Sequence, residues 1–260
     1  MNYQKFFFVT VLVIVLIFLV TGSADVQATE LGEASIPTNS LEDVILSLRS
    51  AIVWVEADLG NNQHSQGSGF IVDEAGYVIT TAHVIDGYRE VCVGWPPDQY
   101  NPSVVAAEVI AVNRDLDLAI LDLEGSGYPA LEIGYDVRSE VSIGHSIIVL
   151  GFPVGSMIGL NDITVTKGIV SSFVCIENNL IMEIDATVSL GSSGGPLYSL
   201  DNHTVIGIIY GMGLEVLTGF NFAIPIEGIF EWSGTSPKLG VSHAVRQLYI
   251  KNQMVNLLQS

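Results

Sequence analysis

The arrangement of short apolar runs along the chain is the sequence feature that most restricts its fold. Two sets of six such runs are separated by the break Gly125-Ser126-Gly127. The first set occupies residues 51–57, 67–72, 77–82, 90–95, 103–112 and 118–123, and the second occupies residues 146–151, 164–173, 180–184, 196–199, 205–210 and 219–224. Turn residues between neighbouring runs favour antiparallel strands. The pattern therefore predicts an all-β protein of two six-stranded antiparallel β-barrels, because closure of each sheet removes its exposed edges.

Helical spacing appears only at the two ends of this β-region. Apolar residues recur at positions 41, 44, 45 and 48 after Ser40, which is a suitable N-cap. Further apolar residues recur near helical spacing between Val241 and Leu258. We expect a short N-terminal helix packed on the barrels and a helical tail over residues 231–260.

Residues 191–197, with the sequence GSSGGPL, contain the strongest candidate for a reactive group. A nucleophilic serine needs a turn that leaves room for substrate and directs backbone N–H groups at a developing negative charge, and glycines allow both. Ser193 is the candidate nucleophile, and the N–H groups of Gly191 and Ser193 are the candidate oxyanion hole. Such a segment is also typical of a flexible loop, so the prediction depends on a matching base and acid.

A candidate base and acid precede this turn in the chain. His83 follows a predicted strand in TAHV (residues 81–84), and imidazole exchanges protons readily near neutral pH. Asp117 begins the run DLAIL (residues 117–121), where a carboxylate could orient the imidazole. Asp115 is a rival for this role, but it falls in the preceding turn. The order in the chain assigns His83 and Asp117 to one barrel and Ser193 to the other.

These motifs, together with NFAIP at residues 221–225, resemble the trypsin-like serine proteases, specifically their HtrA/Deg branch. The resemblance covers about residues 51–227 and implies a protease domain over residues 41–230, with barrels at about 51–124 and 138–227. HtrA relatives commonly add a PDZ domain, and we expect none here. The resemblance implies cleavage of unfolded or misfolded polypeptides by a Ser-His-Asp triad, without metal or cofactor, and it allows a homo-oligomer.

By the same resemblance, the substrate side chain preceding the scissile bond enters a pocket built from two late strands and one earlier residue. The expected lining residues are Thr187, Ile208, Ile209, Tyr210, Asn221 and Phe222. None of these residues is charged, so a buried Lys or Arg of the substrate would remain unpaired. We expect cleavage after apolar residues.

The N-terminal residues have the composition of an export segment. One lysine precedes about 15 apolar residues, a length that fits a signal peptide better than a full membrane span. We expect a signal peptide or membrane anchor over residues 1–28, a linker over 29–40, and an extracytoplasmic catalytic domain.

Charge and cysteine content restrict the partners further. The formal net charge of −19 disfavours nucleic acid and anionic lipid surfaces, so any membrane contact is expected only through the N-terminal segment. Paired His, Cys or Asp spacing of the zinc-binding kind does not occur in the sequence. Cys92 and Cys175 each lie in an apolar strand-like run, and we expect both to be buried free thiols.

Two alternative functions remain open at this stage. One is a non-catalytic peptide-binding pseudo-protease, which would have no need for all three triad residues. The other is a glutamate-specific secreted serine protease of similar fold, for which His203 would have to enter the substrate pocket.

Overall fold

The computed structural model of the chain describes residues 40–95, 104–134, 136–153, 162–176, 179–212 and 221–259. The predicted fold class is confirmed, because these residues form two antiparallel β-sheet units with few helices. The predicted leader at residues 1–28 lies outside the described residues, as does the predicted linker up to residue 39.

The first unit is a sheet of seven antiparallel strands. They are β1 (Ile52–Gly60), β2 (Gln63–Ile71), β3 (Tyr77–Thr80), β4 (Glu90–Gly94), β5 (Val104–Ala106), β6 (Glu108–Asn113) and β7 (Leu118–Asp122). Their order in the sheet is β5-β4-β1-β2-β3-β7-β6. Inward-facing apolar side chains, such as Val53, Val55, Ile79 and Ile120, are fully buried and form the core of this unit.

One predicted strand of the first unit is two strands in the structure. The predicted run 103–112 divides at Ala107, whose N–H donates to the carbonyl oxygen of Val91 in β4 at 2.9 Å. Residues before Ala107 pair with β4, and residues after it pair with β7. This single residue therefore joins the two edge strands of the sheet, so the sheet curves back on itself.

The second unit is a closed six-stranded barrel, as predicted. Its strands are β8 (Ser146–Gly151), β9 (Thr164–Ile176), β10 (Asn179–Ile184), β11 (Pro196–Ser199), β12 (Val205–Met212) and β13 (Asn221–Pro225). They follow the order β10-β13-β12-β11-β8-β9, and the pairing of β9 with β10 closes the barrel. Strand β8 also packs against β1 and β2, which brings the two units together.

Short helices cover the ends of the β-structure. They are α1 (Leu41–Leu48), α2 (Val137–Glu140), α3 (Gly228–Ser233) and α4 (Val241–Gln259). Ser40 caps α1 through a reciprocal pair of hydrogen bonds with Asp43, as its position before the first apolar residue predicted. Helix α4 packs on α3 and β6, and the ammonium of Lys251 donates to the carbonyl oxygen of Ser233.

The helices in the described part of the chain are too short or too polar to span a bilayer. Cys92 and Cys175 are free, as predicted, but the prediction that both are buried is wrong. Cys175 is exposed because it lies at the tip of the β9–β10 hairpin, where it pairs with Leu180 away from the barrel core.

Candidate active site

Antiparallel pairing of β3 with β7 brings His83 and Asp117 together. Thr80 at the end of β3 pairs with Ala119 near the start of β7. The pairing direction continues past the strands, so the N–H of Ala82 donates to the carbonyl oxygen of Asp117 at 3.1 Å. The chain then turns through the short 3₁₀ helix Ala82–Val84, which carries His83. The two residues meet even though they are distant in sequence.

The carboxylate of Asp117 holds both the ring and the backbone of His83. The distance between His83 Nδ1 and Asp117 Oδ2 is 2.6 Å, and the His83 N–H donates to Asp117 Oδ1 at 2.8 Å. A carboxylate only accepts hydrogen bonds, so Nδ1 carries the proton in the neutral ring and Nε2 keeps its lone pair. The Asp117 side chain is 14% exposed, whereas that of His83 is 48% exposed. The imidazole is therefore fixed at one edge and open to the cleft at the other.

Asp115, the rival acid, does not contact His83. It lies exposed in the turn before β7, where its N–H donates to Asn113 Oδ1 at 3.0 Å. Its carbonyl oxygen accepts a hydrogen bond from the Asn179 side chain at 3.2 Å. Both contacts involve the backbone of Asp115, so its carboxylate is not required for the turn.

Ser193 lies on a tight turn in which Gly194 and Gly195 have no room for side chains. Gly191 and Gly194 adopt φ values of 92° and 85°, which favour glycine. A β-carbon on Gly194 would overlap the carbonyl oxygen of Ser68 and the Thr80 hydroxyl. The N–H of Gly194 donates to the carbonyl oxygen of Ile209 at 2.8 Å. The turn is thereby held against both units.

The candidate oxyanion hole is positioned by Ser68 of β2. The Ser68 hydroxyl donates to the carbonyl oxygen of Gly191 at 2.6 Å and accepts the N–H of Phe152 at 2.8 Å. The Ser68 N–H donates to the carbonyl oxygen of Ser193 at 2.8 Å. The Gly191 and Ser193 N–H groups themselves have no acceptor within the described ranges. Both remain available to bind a negative oxygen.

His83 and Ser193 reach the same segment of β12 but are not hydrogen-bonded to each other. The His83 ring lies 6.3 Å from the Tyr210 ring, centroid to centroid. A β-carbon on Gly211 would lie 2.7 Å from Ser193 Oγ. No contact between His83 Nε2 and Ser193 Oγ is found among the hydrogen bonds of the described part of the chain. Such catalytic hydrogen bonds are often long before substrate binds.

Ser192 is braced within the turn by Ser189. The Ser192 N–H donates to the carbonyl oxygen of Ser189 at 3.0 Å, and the Ser189 N–H donates to Ser192 Oγ at 3.4 Å. Ser192 is buried. Hydrogen bonds between neutral groups, rather than an ion pair, therefore hold Ser192 in the turn.

The predicted substrate-pocket residues differ in their burial. Ile208 and Ile209 are fully buried, and Thr187 is exposed. The side chain of Asn221 donates to the carbonyl oxygen of Ala186 at 2.9 Å, which ties β13 to the segment before Ser193. Residues 213–220, between two of the predicted pocket strands, lie outside the described residues. The composition of this pocket stays a prediction.

A cavity of about 270 Å³ lies on the Asp117 side of β12. Tyr210 and Phe222 line this cavity together with Asp117, Leu116 and Leu180. Its far end reaches the ion pair between Arg138 Nε and Glu227 Oε1, which are 2.9 Å apart.

A second group of Ser, His and Asp occurs inside the second barrel. His145 Nε2 lies 2.7 Å from Ser199 Oγ, and His145 Nδ1 lies 3.6 Å from the Asp201 carboxylate. Ser199 is fully buried, and its Oγ also accepts the N–H of Asn202 at 2.8 Å. A substrate has no access to such a hydroxyl. We therefore assign this group a structural role at the β8–β11 end of the barrel.

Ser68 was not predicted from the sequence, although its neighbours carry a signal. Gly67 and Gly69 flank it inside β2, and glycine in a strand often marks the close approach of another backbone. The structure agrees, because a β-carbon on Gly67 would lie 2.9 Å from the carbonyl oxygen of Ser193.

Known proteins similar to this chain identify its family. Residues 67–208, more than half of the chain, match the family model described as "Trypsin-like peptidase domain". A probable periplasmic serine endoprotease, DegP-like, of Halomonas elongata is 30% identical over 178 residues, which are 64% of this chain and 34% of that protein. The putative serine protease HhoA of Synechocystis is 33% identical and covers 74% of this chain and 47% of its own length. The mitochondrial serine protease HTRA2 of Bos taurus is 31% identical, and the match covers 85% of this chain and 49% of that protein.

Solved structures agree on the fold. The serine endoprotease from Yersinia pestis superposes with a TM-score of 0.59 at 26% identity, and the match covers 72% of this chain and 63% of that one. An HtrA-type protease with a tripeptide gives a TM-score of 0.62 at 23% identity, and the match covers 73% of this chain and 61% of that one. The chain spans between a third and a half of the length of the curated relatives described above. The chain belongs to the family of trypsin-like peptidase domains, with serine proteases of the DegP and HtrA type among its relatives, as its motifs predicted.

Proposed function

We propose that this chain is a serine endopeptidase in which Ser193 is the nucleophile, His83 the general base and acid, and Asp117 the residue that orients His83. The observation that carries the proposal is the double contact of the Asp117 carboxylate with His83, beside a turn with two available N–H donors. The serine endoproteases among its relatives support the same activity.

In the first half of the reaction, His83 Nε2 takes the proton of the Ser193 hydroxyl while Oγ attacks the carbonyl carbon of the substrate. The new C–O bond moves one electron pair onto the carbonyl oxygen. The N–H groups of Gly191 and Ser193 bind that oxygen. When the pair returns, the C–N bond breaks, and the leaving amine takes the proton from His83.

In the second half, water replaces the amine. His83 takes a proton from the water, whose oxygen attacks the acyl carbon, and the same N–H groups bind the second oxyanion. The C–O bond to Ser193 then breaks, and Oγ recovers its proton from His83. Asp117 stabilises the imidazolium that forms in each half and remains ionised throughout.

Unfolded or misfolded polypeptides outside the cytoplasm are the substrates we propose. Several relatives are described as periplasmic, and the apolar segment before residue 28 has the composition of an export signal. An uncharged pocket favours Val, Ala, Ile, Leu or Thr before the scissile bond, because an unpaired buried cation costs several kcal/mol. Mass spectrometry of the fragments of digested casein tests this preference. A majority of cuts after Lys or Arg would refute it.

A peptide-binding domain without hydrolytic activity is the second candidate. The observation in its favour is that His83 and Ser193 share a cleft without a hydrogen bond in the described structure. The glutamate-specific alternative has no such support. His203 lies exposed in the turn after β11, whereas Ser193 precedes that strand, which extends about 13 Å over four residues.

Paired aspartate variants test the proposed roles. Asp117→Asn is expected to lower kcat on an unfolded substrate by about 10⁴-fold, because the amide favours the wrong tautomer of His83. Asp115→Asn is the matched control and should retain wild-type kcat, since only the Asp115 backbone makes contacts in the described structure. Thermal unfolding of both variants at the temperature of wild type would show that the fold is intact. Activity in Asp117→Asn together with its loss in Asp115→Asn would overturn the assignment of the acid.

A further inference from the structure

Strand β12 contains a β-bulge beside the candidate active site. Ile209 pairs with Ala223 in β13, and Gly211 pairs with the next residue, Phe222. Tyr210 is therefore the extra residue that the bulge inserts into β12. Gly211 has a φ of 101°, a conformation that side chains disfavour. The bulge changes the direction of the strand at the point where it passes Ser193.

The bulge allows the consecutive residues Tyr210 and Gly211 to face the same cleft. In a regular strand, neighbouring side chains point to opposite faces of the sheet. Here the Tyr210 ring packs against the His83 ring with an interplanar angle of 80° and a centroid distance of 6.3 Å. Gly211 faces Ser193, since a β-carbon there would lie 2.7 Å from Oγ. The Tyr210 ring thus contacts His83, while the lack of a side chain on Gly211 leaves room for Ser193.

The His83 ring needs a second contact in order to hold one orientation. Asp117 fixes the Nδ1 edge, but almost half of the His83 side chain is exposed. Water can compete for an exposed ring, and rotation about the side-chain bonds would move Nε2 away from Ser193. An edge-to-face aromatic contact at this distance is attractive and directional. Tyr210 also lines the cavity that Asp117 lines, so it lies near both members of the hydrogen-bonded His83–Asp117 pair.

We propose that Tyr210 is a positioning residue for His83, beyond its expected place in the wall of the substrate pocket. The proposal rests on the proposed serine endopeptidase function. The Tyr210 ring holds the imidazole in the orientation that presents Nε2 to Ser193, and the bulge at Tyr210 and Gly211 places the ring there. Because the ring makes the contact, phenylalanine at position 210 should preserve the positioning of His83, whereas alanine should not.

Three purified variants of the full chain test this role. Tyr210→Ala removes the ring, Tyr210→Phe keeps it, and Tyr88→Ala is a control that removes an exposed tyrosine elsewhere. We expect kcat on an uncharged peptide to fall about three- to tenfold in Tyr210→Ala, with KM changed by less than about twofold. Tyr210→Phe and Tyr88→Ala should stay within about twofold of wild type. The rate at which a fluorophosphonate labels Ser193 should follow kcat, because the probe makes little use of the extended substrate site.

Two outcomes would overturn the proposal. A rise in KM with unchanged kcat and labelling rate in Tyr210→Ala would assign Tyr210 to substrate binding alone. Equal losses in Tyr210→Phe and Tyr210→Ala would assign the effect to the hydroxyl group instead of the ring. If wild type itself neither hydrolyses nor labels, the proposed function fails. The NMR signals of the His83 ring then still test positioning, because the proposal expects one sharp set in wild type and Tyr210→Phe and broadened signals in Tyr210→Ala.

Discussion

At the scale of single residues, Ser68 links the two units beside the candidate site. It belongs to the first unit, yet its hydroxyl and N–H contact Gly191, Phe152 and Ser193 of the second. Ser68 is fully buried, so these hydrogen bonds have no competition from water. Their combined effect is to hold the backbone of Gly191 and Ser193, whose N–H groups form the candidate oxyanion hole.

Replacement of Ser68 by alanine should therefore affect both stability and activity. The carbonyl oxygen of Gly191 and the N–H of Phe152 would lose their buried partner, which costs about 1–3 kcal/mol of the free energy of unfolding. We also expect a loss of kcat with little change in KM. Urea unfolding and steady-state kinetics measure the two effects.

Thr81→Val is the matched control for this experiment. The Thr81 hydroxyl is buried near the same turn, but no hydrogen-bond partner is found for it within the described residues. Its removal should change the free energy of unfolding by less than that of Ser68→Ala. Wild-type stability and kcat in Ser68→Ala would contradict the role assigned to Ser68.

At the scale of elements, the features that follow from local periodicity were predictable and those set by distant contacts were not. Alternating apolar runs correctly indicated two β-units, and the motifs around His83 and Asp117 marked residues that the β3–β7 register brings together. The division of residues 103–112 at Ala107 depends on pairing with β4 on one side and β7 on the other. The bulge at Tyr210 likewise depends on β13. Neither pairing has a local signal in the sequence.

The reactivity of the two cysteines tests where the β9–β10 hairpin and strand β4 place them. Cys175 is exposed at the tip of the β9–β10 hairpin, whereas Cys92 lies half-buried in β4 between β1 and β5. Burial raises the pKa of the Cys92 thiol, and the nearby carboxylates of Glu56 and Glu90 raise it further. Because the thiolate is the reactive form, Cys92 should be the slower thiol near neutral pH.

Labelling with a maleimide near neutral pH, followed by peptide mapping, measures this difference. We expect Cys175 to react severalfold faster, because it is exposed, whereas burial and a raised pKa leave less of Cys92 as the reactive thiolate. The rate at Cys92 should rise as the pH approaches its raised pKa. Faster labelling of Cys92 in the folded protein would contradict its assigned place in the sheet.

At the scale of the whole molecule, two features govern encounters with substrate. The candidate site takes His83 and Asp117 from one unit and Ser193 from the other, so it exists only when the units are packed together. The formal net charge of −19 gives the molecule a net negative field. That field attracts cationic polypeptides and repels anionic ones before any specific contact forms.

Salt should therefore change kcat/KM in opposite directions for oppositely charged substrates. Raising the salt concentration from about 0.01 M to 0.5 M shortens the screening length to well below the size of the protein. We expect kcat/KM to fall for a peptide with basic flanks, to rise for one with acidic flanks, and to stay constant for an uncharged control. Identical salt dependence for all three peptides would show that the net charge does not steer substrates.

The central claim is that Ser193 performs the chemistry, and hydrolysis of denatured casein by wild type beside Ser193→Ala tests it most directly. We expect wild type to release peptides and Ser193→Ala to be slower by about 10⁴-fold or more, with unchanged thermal unfolding. Equal release of peptides by wild type and a folded Ser193→Ala variant would contradict the account.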